Sequence, residues 1–527
     1  MKRYKNSFLL IIFMMVIFFS CRKEKTTWDT NVLAPLAYGS VTISDLVTDS
    51  ILQADENGLW HLILNENLTD FDLDTLVSIP DTIIKKKFVV PLVGGPFPIP
   101  AGQEIINEEE NNQLAVNDVQ LREVIVESGT LEYSIKSYIN GYLDCSYEIP
   151  GVTLDGTGIV IENTTEPSTG GVPYQFQGSI DLSNYHFDLT GSTGFMYNRI
   201  YTHLTIAADA DNPGQTLVSG NDSVIVELKF VEPVIRYARG YFGEHHYTLN
   251  EHIDFSDNVN FPTGVLNIDE AFMNLNLKNY IGVDARIEFE SLSDSNSYTQ
   301  TTVHLDHPEL YQPINLTRAF DNGGNIDPTE IAFGMNTSNS NIDHFIENLP
   351  DFLTLSADVT INPLGNISDG NDFIYTAHSL DAELTLDVPL NIGIYNLQLA
   401  DTIDIASPIE LNADGHLYLY VTNEFPFSAY CDVYIINDQG QTLSVLGSHQ
   451  LVQAGIETAT LGVTLPVESV IELLVNENIT ENYNPENKLL IRLNLNSPDL
   501  HNNYGIYSNY RMDFRVVADG EIEIGYD

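Results

Sequence analysis

The chain has 527 residues, 43% of them hydrophobic and 10% aromatic, and it carries 22 Lys and Arg against 74 Asp and Glu, a formal net charge of −52. Such a field repels nucleic acid and anionic lipid surfaces, which excludes a nucleic-acid-binding role, while the apolar content suffices for packed cores and excludes a wholly disordered polyanion. Three cysteines with no C-x-x-C spacing exclude a disulfide scaffold, a zinc ribbon and a dithiol redox site.

At the N-terminus, Lys2, Arg3 and Lys5 precede an unbroken apolar run from Phe8 to Phe19. The run is shorter than the roughly 20 residues a membrane-spanning helix needs and has the length of a signal-peptide core. It ends at Ser20 and Cys21, followed by the charged "RKEK". This arrangement resembles the lipobox of bacterial lipoproteins, although Phe18 and Phe19 are bulkier than the usual pattern. The resemblance implies that the leader 1–20 is removed, that the Cys21 sulfur carries a diacylglycerol and that the new amine is acylated. Several acyl chains give stable anchoring where one is marginal. Loss of the leader removes three cations and leaves the mature chain at −55. Arg22 to Lys25 are mostly basic, whereas surface-export signals resemble an acidic cluster at this point. The reading is therefore an outer-membrane lipid anchor on the periplasmic face rather than at the cell surface. No second apolar run of spanning length follows.

The body reads as strands in an all-β fold of tandem sandwich or roll-like modules. "IIKKKFVV" around Lys85, Lys86 and Lys87 has the form of a sheet edge guarded by lysines. "FPIPAGQEIINEEENN" from Phe97 is Pro-rich, then acidic, and reads as an exposed insertion. Alternation is clear at Leu131, Tyr133, Ile135, at Leu417, Leu419, Val421 and at Met512, Phe514, Val516, with turn clusters at Asp211, Asp321 and Ala518. Two short helices are expected. One covers Asn341–Leu349, capped by Ser340, with an Ile342/Phe345/Ile346/Leu349 stripe and Pro350 as its stop. The other follows Pro466, with Val470, Ile471 and Leu474 on one face.

Three stretches repeat one pattern: "YSIKSYINGYLDCSY" from Tyr133, "LNLKNYIGVDARIEF" from Leu275 and "LYVTNEFPFSAYCDV" from Leu419. In each, an alternating strand meets a polar step (Ser137, Asn279, Asn423), a kink with Gly141, Gly282 or Pro426, and a second strand. A turn signature, "SGND" from Ser219 and "DGND" from Asp369, is expected at equivalent places in the first two copies. The division that follows is a leader 1–20, a lipidated tether with a lead-in strand 21–57, and β modules at 58–232, 233–380 and 381–527. Cys145 and Cys431 fall at matching offsets and read as buried free thiols.

The opening "WDTNVLAPLAYGSVTISDLV", the central "SNSNIDHFIENLPDFLTLSADVTINPLGNISDGNDFIY" and "RGYFGEHHY" resemble a family of large Bacteroidetes lipoproteins without assigned biochemical activity. The resemblance spans nearly the whole chain and implies an anchored envelope protein; it supplies no catalytic residues.

The chemistry-bearing residues favour plain readings. In "GEHHYTLNEH", His245 and His246 would point to opposite faces of a strand, so at most one could join His252 on a metal. Asp209, Asp211, Asp369 and Asp372 sit in acidic loops that lack EF-hand order and read as turns. No nucleophile elbow, P-loop or dinucleotide fingerprint is present. The expectation is a non-enzymatic envelope lipoprotein of structural or binding role, with no cofactor and no nucleic acid, the membrane as its partner through Cys21, and a protein or hydrophobic ligand as a further one. Two alternatives are a lipid or hydrophobic-ligand carrier and a surface glycan-binding accessory protein. An open apolar cavity would mark the carrier, a coplanar aromatic row the glycan binder, and solid cores the scaffold.

Overall fold

The computed structural model describes residues 31–521 apart from 46, 49, 69–75, 117–118, 213–215, 255, 257–263, 406–415, 461, 476–478 and 480–481. Cys21, Trp28 and the leader lie outside the described residues. The described residues are almost entirely antiparallel β, with an α-helix at Ile342–Glu347. Alternation translates directly into burial: Arg199–Ala208 and Lys488–Asn496 bury every second side chain.

The strands assemble into three sandwiches of one wiring. In the third, a sheet ordered Asn31–Val41, Met512–Glu521, His416–Asn423, Val467–Leu473 lies against one ordered Leu397–Asp404, Lys488–Asn496, Ser428–Ile436, Thr442–Val452. The second sets Trp60–Asn67, Leu380–Pro389, Phe272–Asn279, Thr329–Asn336 against His245–Asp254, Phe352–Ile361, Ala285–Asn296, Thr301–His304. The first sets Thr82–Val89, residues 223–231, residues 130–137, Tyr174–Asp181 against Glu104–Gln113, Arg199–Ala208, Leu143–Leu154, Thr157–Thr165. Numbered along each copy, strands 1-8-3-6 face strands 2-7-4-5. This is the wiring of an eight-stranded jelly roll.

The first strands come from elsewhere in the chain. Asn31–Val41, expected as a lead-in, completes the C-terminal sandwich by pairing with Met512–Glu521. Trp60–Asn67, expected in the first module, completes the second sandwich on Leu380–Pro389, a strand expected to open the third module. Only Thr82–Val89 stays with the copy that follows it. The three first strands are thus set out in the reverse order of the sandwiches they complete.

The polar steps occupy one register. Ser137 lies between Tyr174 and Val224, Asn279 between Thr329 and Leu380, and Asn423 between Val467 and Met512. Each marks the corner where the chain leaves one sheet for the other. The Asn279 carboxamide accepts from the Ile281 amide at 2.9 Å and donates to the carbonyls of Val283 and Thr317 at 2.8 and 2.9 Å. Asn423 repeats this with the Phe425 amide and the Phe427 and Gln453 carbonyls. Ser137 keeps only the acceptor role, toward the Ile139 amide. Both asparagines are fully buried, so their side chains supply the hydrogen bonds that a sheet-crossing backbone loses. At Gly282 an added Cβ would sit 2.1 Å from the Phe373 ring, which explains the glycine after the corner.

Several expectations need correction. Residues after Pro466 form the strand Val467–Leu473, paired with His416–Asn423, and Val470 and Leu474 point to solvent. The β-branched residues and an available sheet edge override the helical spacing. The acidic stretch after Phe97 is no insertion, since Glu104–Gln113 pairs along Arg199–Ala208 and buries Ile105 and Ile106. The two GND turns are not equivalent: Gly220 stands four residues ahead of Val224, the corner's partner, and Gly370 ten ahead of Leu380. The expected helix does form, with Ile342 and Phe345 fully buried, but Ser340 donates to the Asn336 carbonyl instead of capping it.

Different chemistry joins the sandwiches. Between the first and second, the long strands Gln120–Ser137 and Ser223–Tyr241 run on past their sandwich, and the extension of the latter pairs with Asp372–Tyr375 of the second. Between the second and third, a small sheet of Val265–Ile268, Asn391–Tyr395 and Tyr504–Gly505 crosses a junction lined mainly by apolar side chains.

Candidate functional sites

The carrier reading needs an apolar cavity of ligand size. The second sandwich has an apolar void of about 80 Å³ between Met273, Phe345, Ile346, Leu349, Leu353 and Leu384. A second of about 40 Å³ lies in the junction with the third sandwich, against Leu266, Ile268, Phe425, Phe427 and Ile506. Ligand pockets usually measure about 300–1,000 Å³, so neither takes an acyl chain as it stands. Larger depressions of about 310 and 430 Å³ are polar and open, on the outer faces of the second and first sandwiches, one around Lys278 and Glu383, the other around Tyr133 and Lys229.

The glycan reading needs free aromatic faces. Trp60 packs against the core. On the third sandwich Arg515 covers the Tyr420 ring at 4.8 Å, Arg492 covers Tyr434 at 5.3 Å, and His449 stacks on Tyr430 at 3.9 Å. These rings form cation–π and stacked pairs on two different sheets and make no coplanar row.

The histidines separate as the strand period requires. His245 turns to the Phe242 carbonyl, while His246 and His252 meet Thr360 and Thr354 on the outer face. Among the described residues no group of three or more His, Cys, Asp or Glu side chains converges as a metal site. Asp209 accepts from the Asp211 amide, as a turn residue does. On the edge strand they were expected to guard, Lys85 pairs with Glu227 of the neighbouring strand and Lys86 with Glu110 of the facing sheet. Cys145 and Cys431 are free and buried in separate sandwiches, and burial pushes each thiol up to about 12, far from nucleophilic use.

Three polar clusters escaped the sequence reading because each joins residues distant in the chain. At the first junction the Arg318 guanidinium bridges Asp284 at 2.6 Å and Asp372 at 3.1 Å, and Asn362 donates to the other Asp372 oxygen at 2.9 Å. Asp372 and Asn362 are almost wholly buried. On the extended strands nearby, Glu123 lies between His186 at 2.7 Å and Arg239 at 2.6 Å. The His186 hydrogen bond and the Arg239 charge hold that carboxyl below its usual range, and Glu123 in turn raises His186.

The third cluster surrounds Asp294, which is fully buried beside the C-terminal end of the helix. One carboxylate oxygen accepts from the Asn348 side-chain carboxamide, and the other has no partner among the described residues. Desolvation pushes this carboxyl up to about 7. A carboxyl raised above its unfolded value of about 3.9 contributes stability below that value and loses the contribution as pH climbs through about 7. Acidification from pH 8 to 5 should therefore stabilise the second sandwich, and Asp294→Asn should remove that part of the pH dependence. At about 1.4 kcal/mol per pKa unit the difference is on the order of 2–4 kcal/mol, read as the gap between wild-type and variant urea-unfolding midpoints at the two pH values.

No protein-family model matches the chain, and no curated protein sequence does. Among solved structures, a protein described as secreted from Parabacteroides distasonis ATCC 8503 aligns over 94% of this chain and all of its own, at 10% identity and a TM-score of 0.34. An archaeal virus protein described by its triple jelly roll fold and turret assembly aligns over 87% of this chain and 96% of its own, at 11% identity and a TM-score of 0.11. The VP2 subviral particle of infectious bursal disease virus gives 91% and 86% coverage, 9% identity and a TM-score of 0.11. At these values the likenesses lend no activity to the chain, and its jelly-roll wiring rests on its own strand pairings.

Proposed function

We propose that the chain is a lipid-anchored, non-enzymatic protein of the cell envelope whose three jelly rolls form a stiff support for binding surfaces, held on the periplasmic face of the outer membrane. The observation that carries this reading is the build of the first junction. Two strands run on out of the first sandwich, with register shifts in their pairing between residues 231 and 237, one of them hydrogen-bonds to a strand of the second, and the half-buried Arg318 holds the buried Asp372 beside that pairing. The apolar voids of about 40 and 80 Å³ among the described residues, small for a ligand pocket, support this reading over transport.

The anchor follows from Cys21, ten residues ahead of Asn31. Those ten residues reach at most about 35 Å and lead into the third sandwich, so an anchored molecule carries its C-terminal sandwich nearest the membrane. Cys21→Ala should move the protein from the membrane to the soluble fraction or leave it unprocessed, and should abolish labelling by a fatty-acid probe. Persistent labelling of the variant would overturn the anchor. Degradation by protease added to intact cells would move it to the outer surface.

A further inference from the structure

We infer that the end of the first sandwich at which strand three turns its corner is a docking surface, and that its occupant is the apolar end of a β-sandwich belonging to another protein. This rests on the support reading above and names the surface that the support presents. All three sandwiches carry one short strand at this end. Thr216–Val218, Asp372–Tyr375 and Tyr504–Gly505 each begin eight residues before the strand-eight residue that faces the corner, Val224, Leu380 or Met512. Each pairs with the segment leading into strand two. Thr216 faces Ile99, Asp372 faces Gly240 and Tyr504 faces Ile392, each five residues before strand two begins at Glu104, His245 or Leu397.

In the second and third copies that segment arrives from the preceding sandwich, which then covers the corner end. Tyr237 and Ile125, on the extended strands of the first sandwich, pack with Ala319 and Phe373 of the second. Leu266 and Ile268 of the second meet Phe425, Phe427 and Ile506 of the third. In the first copy the segment comes instead from the sandwich's own strand one, Thr82–Val89, through residues 90–103. Among the described residues no strand of the other two sandwiches pairs with Thr216–Val218 or Phe97–Ile99. The end that twice receives a β-sandwich within the chain is thus offered once to a β-sandwich from outside it.

The offered surface is apolar and already ordered. Val93 is 97% exposed, more than any other large hydrophobic side chain among the described residues, and Val172 is 68% exposed. Leu92, Phe97 and Tyr142 are exposed on the same group of loops. Backbone hydrogen bonds knit these loops together. The Gly220 amide donates to the Gly94 carbonyl at 2.8 Å, the Leu217 amide to Asn140 at 2.9 Å, and the Ser168 amide to Ile139 at 3.0 Å. A Cβ at Gly220 would stand 2.0 Å from the Leu92 carbonyl oxygen, so the loops meet backbone to backbone. Exposed apolar patches mark interaction sites, and an ordered one loses little conformational entropy on binding. Residues 90–103 and 138–142 carry no charge and residues 166–173 only Glu166, in a chain of net charge −52. An apolar protein surface suits such loops, and a charged ligand does not.

The test uses the full chain in the cells that make it. A photo-activated benzophenone side chain in place of Val93 should give an adduct with another protein, and sequencing of the cross-linked peptide should place the link at a strand end of a β-sandwich in that protein. The same group in place of Val160, 52% exposed on a strand of the same sandwich, should not give this adduct. With the benzophenone at position 93, Val172→Asp should lower the yield about fivefold or more, while Val172→Ile keeps it. Both substitutions lie at an exposed position, and an unchanged thermal midpoint checks that the fold is intact. Fatty-acid labelling of the same sample reads the Cys21 anchor separately, so failure of the anchor and failure of the docking surface are distinguishable. No adduct from position 93, an adduct with lipid or with a second copy of this chain, a link outside a β-sandwich end, or a yield indifferent to Val172→Asp would each overturn the proposal.

Discussion

Leu36→Asp should unfold the C-terminal sandwich and leave the first intact. Leu36 is fully buried on the strand that pairs with Met512–Glu521. An aspartate there must be charged without a partner or bind a proton it would otherwise release, a cost of about 4 kcal/mol or more. Hydrogen exchange followed by mass spectrometry should show lost protection in Lys488–Asn496 and Met512–Glu521, hundreds of residues from the substitution, and unchanged protection in residues 130–137. A variant that opens only around residue 36, or that opens the first sandwich, would contradict the pairing.

Arg318→Ala should be the most damaging single change at the first junction. It leaves Asp372, 1% exposed, with the Asn362 amide as its remaining side-chain donor. Removing one member of a buried ion pair typically costs about 3–5 kcal/mol, because the other charge is stranded. Arg318→Lys should recover little, since a single ammonium cannot span both carboxylates as the guanidinium does. Adding Asp372→Asn to Arg318→Ala should recover part of the loss by removing the stranded charge. Thermal unfolding of the four proteins orders them, and an Arg318→Ala midpoint equal to wild type would show that the network is dispensable.

What the sequence made legible was local. Period-two alternation marked strands such as those at Leu131 and Leu417, and the Asn279 and Asn423 steps stood out because a buried corner needs a side chain that both donates and accepts. The helix at Ile342 was legible for the same reason, a tight apolar stripe ended by proline. What escaped depended on partners far along the chain. Nothing in residues 31–41 announces pairing with residues 512–521. Residues 467–473 carry an apolar spacing that suits a helix until a sheet edge is offered to them. The Arg318 and Asp294 clusters each gather side chains from strands and loops separated by tens of residues, and a charged residue read alone looks like any other surface charge. The acidic stretch at 108–110 misled in the opposite sense, because an edge strand can be strongly charged on its outer face while Ile105 and Ile106 enter the core.

The reversed order of the first strands also sets a timetable. A chain that emerges N-terminus first presents residues 31–41 earliest, yet their hydrogen-bonding partner, residues 512–521, emerges last. The first sandwich can close once residue 231 is out and the second once residue 389 is out; the third waits for residue 521. At about 5–20 residues per second, that leaves the earliest strand exposed for on the order of a minute. During that interval the apolar residues Leu36, Ala37 and Val41 have no sheet to enter. Closure thus runs from the first sandwich to the third, and a chaperone that guards residues 31–67 should have more influence on yield than one that guards residues 82–89.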